Sequence, residues 1–147
     1  MAVSKIVGSR KTAKGTIEYL TQKEKVSEIQ TLNLCGASNQ EILREFEVQA
    51  VLSQRCEKPY LHLSVSFDPE KEGLTIKNEE MFSYTESYLE KMGLKEHQTV
   101  MVAHKDTAHP HVHVLVNRIG EDGLAWSEHD NYKRSMEAIA ETSKEYE

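Results

Sequence analysis

The run His104-Lys105-Asp106-Thr107-Ala108-His109-Pro110-His111-Val112-His113-Val114-Leu115-Val116-Asn117 carries four of the chain's seven histidines and an aspartate. Side chains alternate across a strand, so Val112, Val114 and Val116 are expected to face a core while His111, His113, Leu115 and Asn117 share the opposite face. Two imidazoles then project side by side. His104 ends the preceding strand, and the six residues between it and His111 are enough to bring it back beside them as a third nitrogen donor. Neutral imidazoles bind divalent transition metals, and three of them leave coordination positions open for water or a phosphate oxygen. Asp106 is close enough to accept a ring N–H and fix a ligand's tautomer. His109 is the weakest member of the cluster, since Pro110 bends the strand's start and leaves its orientation open. A polar sheet face would explain a single His-x-His pair; it explains four histidines and an aspartate within ten residues poorly.

A metal that polarises phosphate still needs a nucleophile, and there are six tyrosines. Tyr84 and Tyr88 fall on an apolar helical stripe and are expected in the core. Tyr60 follows Pro59 at a strand start, and Tyr132 and Tyr146 fall on the last helix. Tyr19 differs: at about 100° per residue it lies some 200° from Ile17, off the buried stripe, and it directly follows a basic segment. On helix geometry alone it is an ordinary surface tyrosine.

The elements that must position these residues are legible from periodicity and punctuation. Val3 to Gly8 reads as a strand, and Thr12 to Thr21 as a helix with Ala13, Ile17 and Leu20 as its apolar stripe. Val26 to Leu34 is extended or irregular. Ser38 with Glu41 forms a capping box that opens a helix burying Ile42, Leu43, Phe46 and Ala50. After Pro59 the alternation of Leu61, Leu63, Val65 and Phe67 with Tyr60, His62, Ser64 and Ser66 predicts a half-buried strand with one polar face. Asn78 is expected to cap a third helix that Gly93 ends in a left-handed conformation. Strands Gln98 to Ala103 and His111 to Ile119 follow, then a tight turn at Asp122-Gly123 with a short strand through Trp126. A last helix starts at Asp130 and reaches Glu147 without a stop signal. The pattern predicts an α+β domain: a central, mostly antiparallel sheet of about five strands with helices packed on it. Residues 1–147 form one unit in this reading, expected to be the amino-terminal part of a longer protein.

Composition sets outer bounds. With 38% hydrophobic and 29% charged residues the 147-residue chain is an ordinary domain with room for a core, not a disordered or fibrous one. No apolar run approaches the roughly 18 residues of a membrane span, and no secretion signal opens the chain, so a cytoplasmic protein is expected. Cys35 and Cys56 are too few for a disulfide scaffold and read as buried thiols. The formal charge of −6 argues against diffuse nucleic-acid binding, yet Lys5, Arg10, Lys11 and Lys14 give residues 1–17 four positive charges and no acid, against 14 basic and 24 acidic residues in the remainder. A local phosphate-facing patch on an acidic body fits that asymmetry, and so does a solvated basic tail.

Ser9-Arg10-Lys11-Thr12-Ala13-Lys14-Gly15-Thr16-Ile17-Glu18-Tyr19-Leu20, Asn33-Leu34-Cys35, His62-Leu63-Ser64-Val65-Ser66-Phe67-Asp68-Pro69 and His104 to Asn117 with Arg118-Ile119 together resemble the relaxase/mobilisation nuclease family of the HUH endonuclease superfamily, in order and over nearly the whole chain. The resemblance implies the two-layer fold of that superfamily, with Tyr19 as nucleophile, His104, His111 and His113 as metal ligands and Asp106 behind a ligand histidine. It implies active-site support or DNA contact for Asn33, His62 and Ser66, with Arg118 and the basic Arg10, Lys11 and Lys14 also set against DNA. The activity implied is metal-dependent nicking of single-stranded DNA at a transfer origin, for mobilisation of a plasmid or conjugative element. It leaves a 5′-phosphotyrosine and a free 3′ hydroxyl. Mg²⁺ or Mn²⁺ is the expected metal in the cell, with Ni²⁺ or Zn²⁺ an alternative in purified protein, and accessory mobilisation proteins are the expected partners.

Two further readings of the same residues stay open at the level of sequence. His109-Pro110-His111-Val112-His113 also fits a histidine-triad nucleotide hydrolase, which uses a histidine nucleophile and no metal, but that leaves His104, Asp106 and the tyrosine segment unexplained. A metal-stabilised single-stranded DNA-binding module without catalysis is the non-enzymatic alternative. A rolling-circle replication initiator would share the chemistry but usually places its tyrosine after the His-x-His strand; the tyrosine-first order favours mobilisation.

Overall fold

The structure is a computed structural model that describes residues 2–22, 24, 26–53, 55–68, 76–105 and 109–146. The elements are β1 (Ala2–Arg10), α1 (Lys14–Leu20), β2 (Val26–Leu32), α2 (Asn39–Ala50), β3 (Tyr60–Phe67), α3 (Asn78–Lys91), β4 (Thr99–His104), β5 (His111–Asn117) and α4 (Asn131–Glu145). The five strands form one sheet in the order β1-β3-β5-β4-β2, antiparallel at each pairing. This is the α+β, two-faced architecture that the alternating patterns predict. No helix among the described residues is long and apolar enough to cross a membrane.

Period-two patterning assigns each sheet face its own core. Leu61, Leu63, Val65 and Phe67 of β3, with Val112, Val114 and Val116 of β5, pack with α3 and α4 residues such as Met81, Tyr88 and Ile139. On the other face Val100, Val102, Leu115 and Tyr60 pack with Ala13, Ile17 and Leu20 around α1 and with Ile42 and Phe46 of α2. Phe46 and Tyr60 stack at 5.7 Å. Because β3 lies between β1 and β5 and α1 and α2 cover part of its second face, that face is polar but mostly buried: His62 is 7% and Ser64 8% exposed. The strand is less open to water than its alternation suggests.

The capping box forms as the spacing predicts: Ser38 Oγ accepts from the Glu41 amide, and the Glu41 carboxylate accepts from the Ser38 amide. The two bonds satisfy amides that a helix start leaves orphaned. Ser38→Ala should therefore cost about 1 kcal/mol, read as a fall of a few degrees in the thermal midpoint. At the end of α3, Gly93 has φ 83°, its amide donates to the Glu90 carbonyl and the Leu94 amide to the Leu89 carbonyl, closing the helix as expected.

Several expectations need correction. α1 is shorter than Thr12 to Thr21: Ala13 offers no side-chain cap, and Thr21 Oγ1 bonds back to the Ile17 carbonyl. Asn78 is the first residue of α3 rather than its cap; Lys77 holds that position, and the Asn78 amide instead donates to Ser27 and Glu28, tying α3 to β2. The turn at Asp122-Gly123 forms, with Gly123 at φ 82°, but one bridge between Ile119 and Ala125 replaces a strand. Cys35 is exposed and Cys56 half-buried, so neither is a core thiol.

Candidate active site

β4 and β5 are joined so that His104 lies directly opposite His111, while His113 pairs with Val102 two residues further along. All three imidazoles therefore rise from one sheet face at one end of the two central strands. One nitrogen from each lies within 4.8 Å of the others, and ring centroids are 4.8 to 5.2 Å apart. The third donor expected from the far side of the loop is in place.

Each ring also has a partner for its other nitrogen. His104, 3% exposed, has Nε2 3.0 Å from the Leu20 carbonyl at the end of α1. A carbonyl only accepts, so that nitrogen carries the proton and Nδ1 keeps its lone pair. His111 Nδ1 lies 2.9 Å from the His109 carbonyl, which by the same reasoning frees Nε2. His113 Nδ1 is 3.0 Å from His62 Nε2 on β3. Burial, reinforced by the Arg10 charge, pulls the His62 pKa down to about 4. His62 is thus neutral at physiological pH and can accept the His113 Nδ1 proton, which puts the His113 lone pair on Nε2. The result is three outward lone pairs, each on a ring oriented from behind, which is the donor set a divalent transition ion needs.

The backbone amide ladder explains which expected residues gather here. Ser66 pairs with His111 and Ser64 with His113, so the Ser66 hydroxyl flanks the imidazoles on the same face. His62 is brought in by a diagonal contact, its direct partner being Leu115. Tyr19, 54% exposed, precedes Leu20, whose carbonyl orients His104. The carboxyl end of α1, where Tyr19 lies, thus meets the imidazole site through the Leu20 carbonyl. Arg10 pairs with Tyr60, two residues of β3 from His62. Lys11 and Lys14 line a cleft of about 780 Å³ with Leu43, Val51 and Tyr60, at the end of β3 away from His111. His109 is exposed and enters through its carbonyl. Asp106 lies outside the described residues.

Two expected DNA contacts sit elsewhere. Asn33, at φ 61°, follows β2 at the end remote from His104, and its amide donates to the Lys95 and His97 carbonyls. It organises a turn, a left-handed position that asparagine tolerates well. Arg118 follows β5 at the end remote from His111. Its guanidinium donates to the Trp126 and Lys58 carbonyls and to Cys56 Sγ, with Glu128 at 3.7 Å. Arg118→Met is accordingly expected to cost on the order of 2 kcal/mol in urea unfolding and to leave the salt dependence of oligonucleotide binding unchanged.

The contribution of Leu20 is invisible to motif reading, because it is a backbone carbonyl; its one sequence signal is adjacency to Tyr19. No curated protein matches the chain. Residues 19–147, from Tyr19 through all three imidazoles to the last residue, match the model of the MobA/VirD2-like relaxase nuclease domain, and the chain belongs to that family of DNA-nicking nucleases.

Proposed function

We propose that residues 1–147 are the catalytic domain of a relaxase that nicks one strand at a transfer origin through Tyr19, in the mobilisation of a plasmid or conjugative element. The observation that carries this reading is the meeting of α1 with the three-imidazole site: the residue after Tyr19 holds His104 in its ligand tautomer.

His104 Nδ1, His111 Nε2 and His113 Nε2 would hold the divalent metal. When bound, it supplies a positive charge that draws electrons from the scissile phosphate and offsets the charge that builds in the transition state. All-nitrogen donors suit Mn²⁺, Ni²⁺ or Zn²⁺ better than Mg²⁺, which prefers oxygen, so Mn²⁺ is the metal to test first. The Tyr19 phenolic oxygen attacks phosphorus in line with the bond to the 3′ oxygen. A P–O bond to tyrosine forms, the phenol giving up its proton, as the P–O3′ bond breaks; the electron pair leaves on the 3′ oxygen, which takes up a proton in exchange and becomes a free hydroxyl. A phenol is a better leaving group than an alkoxide, so the linkage retains the energy needed to rejoin strands without ATP. Ser66 beside His111 supports the phosphate, and the partly exposed phenol needs no strand separation within the domain to meet single-stranded DNA.

His104 contributes from a second strand, with its own carbonyl partner, which a metal-free nucleotide hydrolase has no use for. The test is direct. A single-stranded origin oligonucleotide incubated with the protein and Mn²⁺ should give a protein–DNA adduct that survives a denaturing gel, with a product ending in a 3′ hydroxyl. Binding without any adduct, over a range of metals and origin sequences, would leave only the non-catalytic module.

A further inference from the structure

On a regular strand, residues five apart face opposite sides, so Lys5 and Arg10 of β1 should be separated by the sheet. They are not. The register of β1 against β3 slips between Ile6 and Gly8, inserting Val7 as an extra residue, so that Lys5 pairs with Ser64 and Arg10 with Tyr60. Gly8 takes φ 139° at this bulge, a conformation closed to other residues without strain. Tyr60, His62, Ser64 and Ser66 all lie on the face of the imidazoles, and the bulge turns both cations toward it.

Lys5 occupies a defined place on that face. It is in one cross-strand row with Ser64 and His113, two strand spacings, or about 10 Å, from His113. The helices leave this face of β1 uncovered: α4 packs on the other face of the strand, where Ser4 meets Ser135, while Val3 is 66% exposed and Lys5 is exposed. Among the described residues Lys5 has no ion-pair partner. The hydroxyl of Ser64 and the half-buried Ser66 lie between the cation and the imidazoles. A phosphate held over the imidazoles is centred two strands from the Lys5 backbone, which places the next phosphate of the same strand nearer to the ammonium.

We propose that Lys5 binds the phosphodiester adjoining the one held at the imidazole site, so that single-stranded DNA crosses β3 above Ser64 and Ser66 and leaves over the β1 edge. The proposal rests on the relaxase reading for its substrate, and β1 lies outside the span that defines the family match. Lys5 acts by charge, holding the strand in place across the site; the Tyr19 chemistry is unaltered.

The experiment compares the parent with Lys5→Gln, Lys5→Arg and Lys133→Gln, the last a lysine on the exposed side of α4. Two quantities are read: nicking of an origin oligonucleotide with Mn²⁺, and the salt dependence of its binding by fluorescence anisotropy. Lys5→Gln should lower kcat/KM about tenfold and flatten the log–log salt slope by about 0.7, the value for one phosphate contact on a single strand. Lys5→Arg should restore both, and Lys133→Gln should change neither. A parent that nicks while Lys5→Gln matches it in rate and slope overturns the Lys5 contact and leaves the relaxase reading intact. A Lys133→Gln slope change as large as that of Lys5→Gln also overturns it, since the effect is then one of net charge. If the parent binds but does not nick, the enzymatic reading fails and the salt slopes alone decide the contact.

Discussion

Tyr19→Phe abolishes the protein–DNA adduct while oligonucleotide affinity stays within about twofold of the parent. Deleting one hydroxyl removes the only atom that forms the bond to phosphorus, so the loss in nicking rate is expected to be on the order of 10⁴-fold or more. The ring remains, and with the side chain 54% exposed the α1 packing through Ile17 and Leu20 is untouched, so the thermal midpoint should hold. Tyr60→Phe is the matched control. Tyr60 is 4% exposed and stacked on Phe46 in the core beneath α1 and α2, and its phenol has no role in the chemistry proposed. An adduct that persists in Tyr19→Phe and disappears in Tyr60→Phe would move the nucleophile to β3 and reverse the assignment. Persistence in both would point to a different residue altogether. The adduct is read on a denaturing gel with end-labelled oligonucleotide, which separates loss of chemistry from loss of binding.

How far this site could be read before folding depends on the range of the interaction involved. Alternation in β5 is local, and it places Val112, Val114 and Val116 in one core and His111 and His113 on the other face. The Ser38–Glu41 box and the Gly93 terminus are equally local and equally legible. His62 is different: its polar position is clear from period two, but its contact with His113 depends on the β3–β5 register, which no short stretch encodes. The same holds for the bulge that turns Arg10 toward the site, since an inserted residue in a strand shows only against its partner. Arg118 follows the histidine strand directly in sequence yet sits at its far end, because seven residues of β5 separate the two ends. Its donors go to a hairpin and a loop that sequence adjacency does not connect. Cys35 is exposed rather than a core thiol for a related reason: it lies in the connection after β2, where its own amide and that of Gly36 donate to the Glu45 carboxylate of α2.

Stripping the protein with a chelator should abolish nicking, and Mn²⁺ should restore it, because the charge opposite the scissile phosphate is gone without the ion. Metal that binds only the folded chain also stabilises it: at 100 times Kd the gain is about 2.7 kcal/mol, a rise of roughly 8 °C in the thermal midpoint. His111→Asn is the cleanest ligand deletion, since His111 is half-buried and its other nitrogen faces a backbone carbonyl, that of His109. It should lose both the metal-dependent rise and nicking, and added Mn²⁺ should recover neither. His62 offers the contrast, because it orients a ligand without being one. His62→Leu removes the acceptor behind His113 and should weaken metal affinity 10- to 100-fold, with nicking recovered at high Mn²⁺. His62→Gln, whose amide oxygen still accepts, should fall between Leu and the parent. Were His62→Leu as unresponsive to metal as His111→Asn, His62 would have to be counted among the ligands, and the three-imidazole site would become a four-imidazole one with one fewer position open to phosphate.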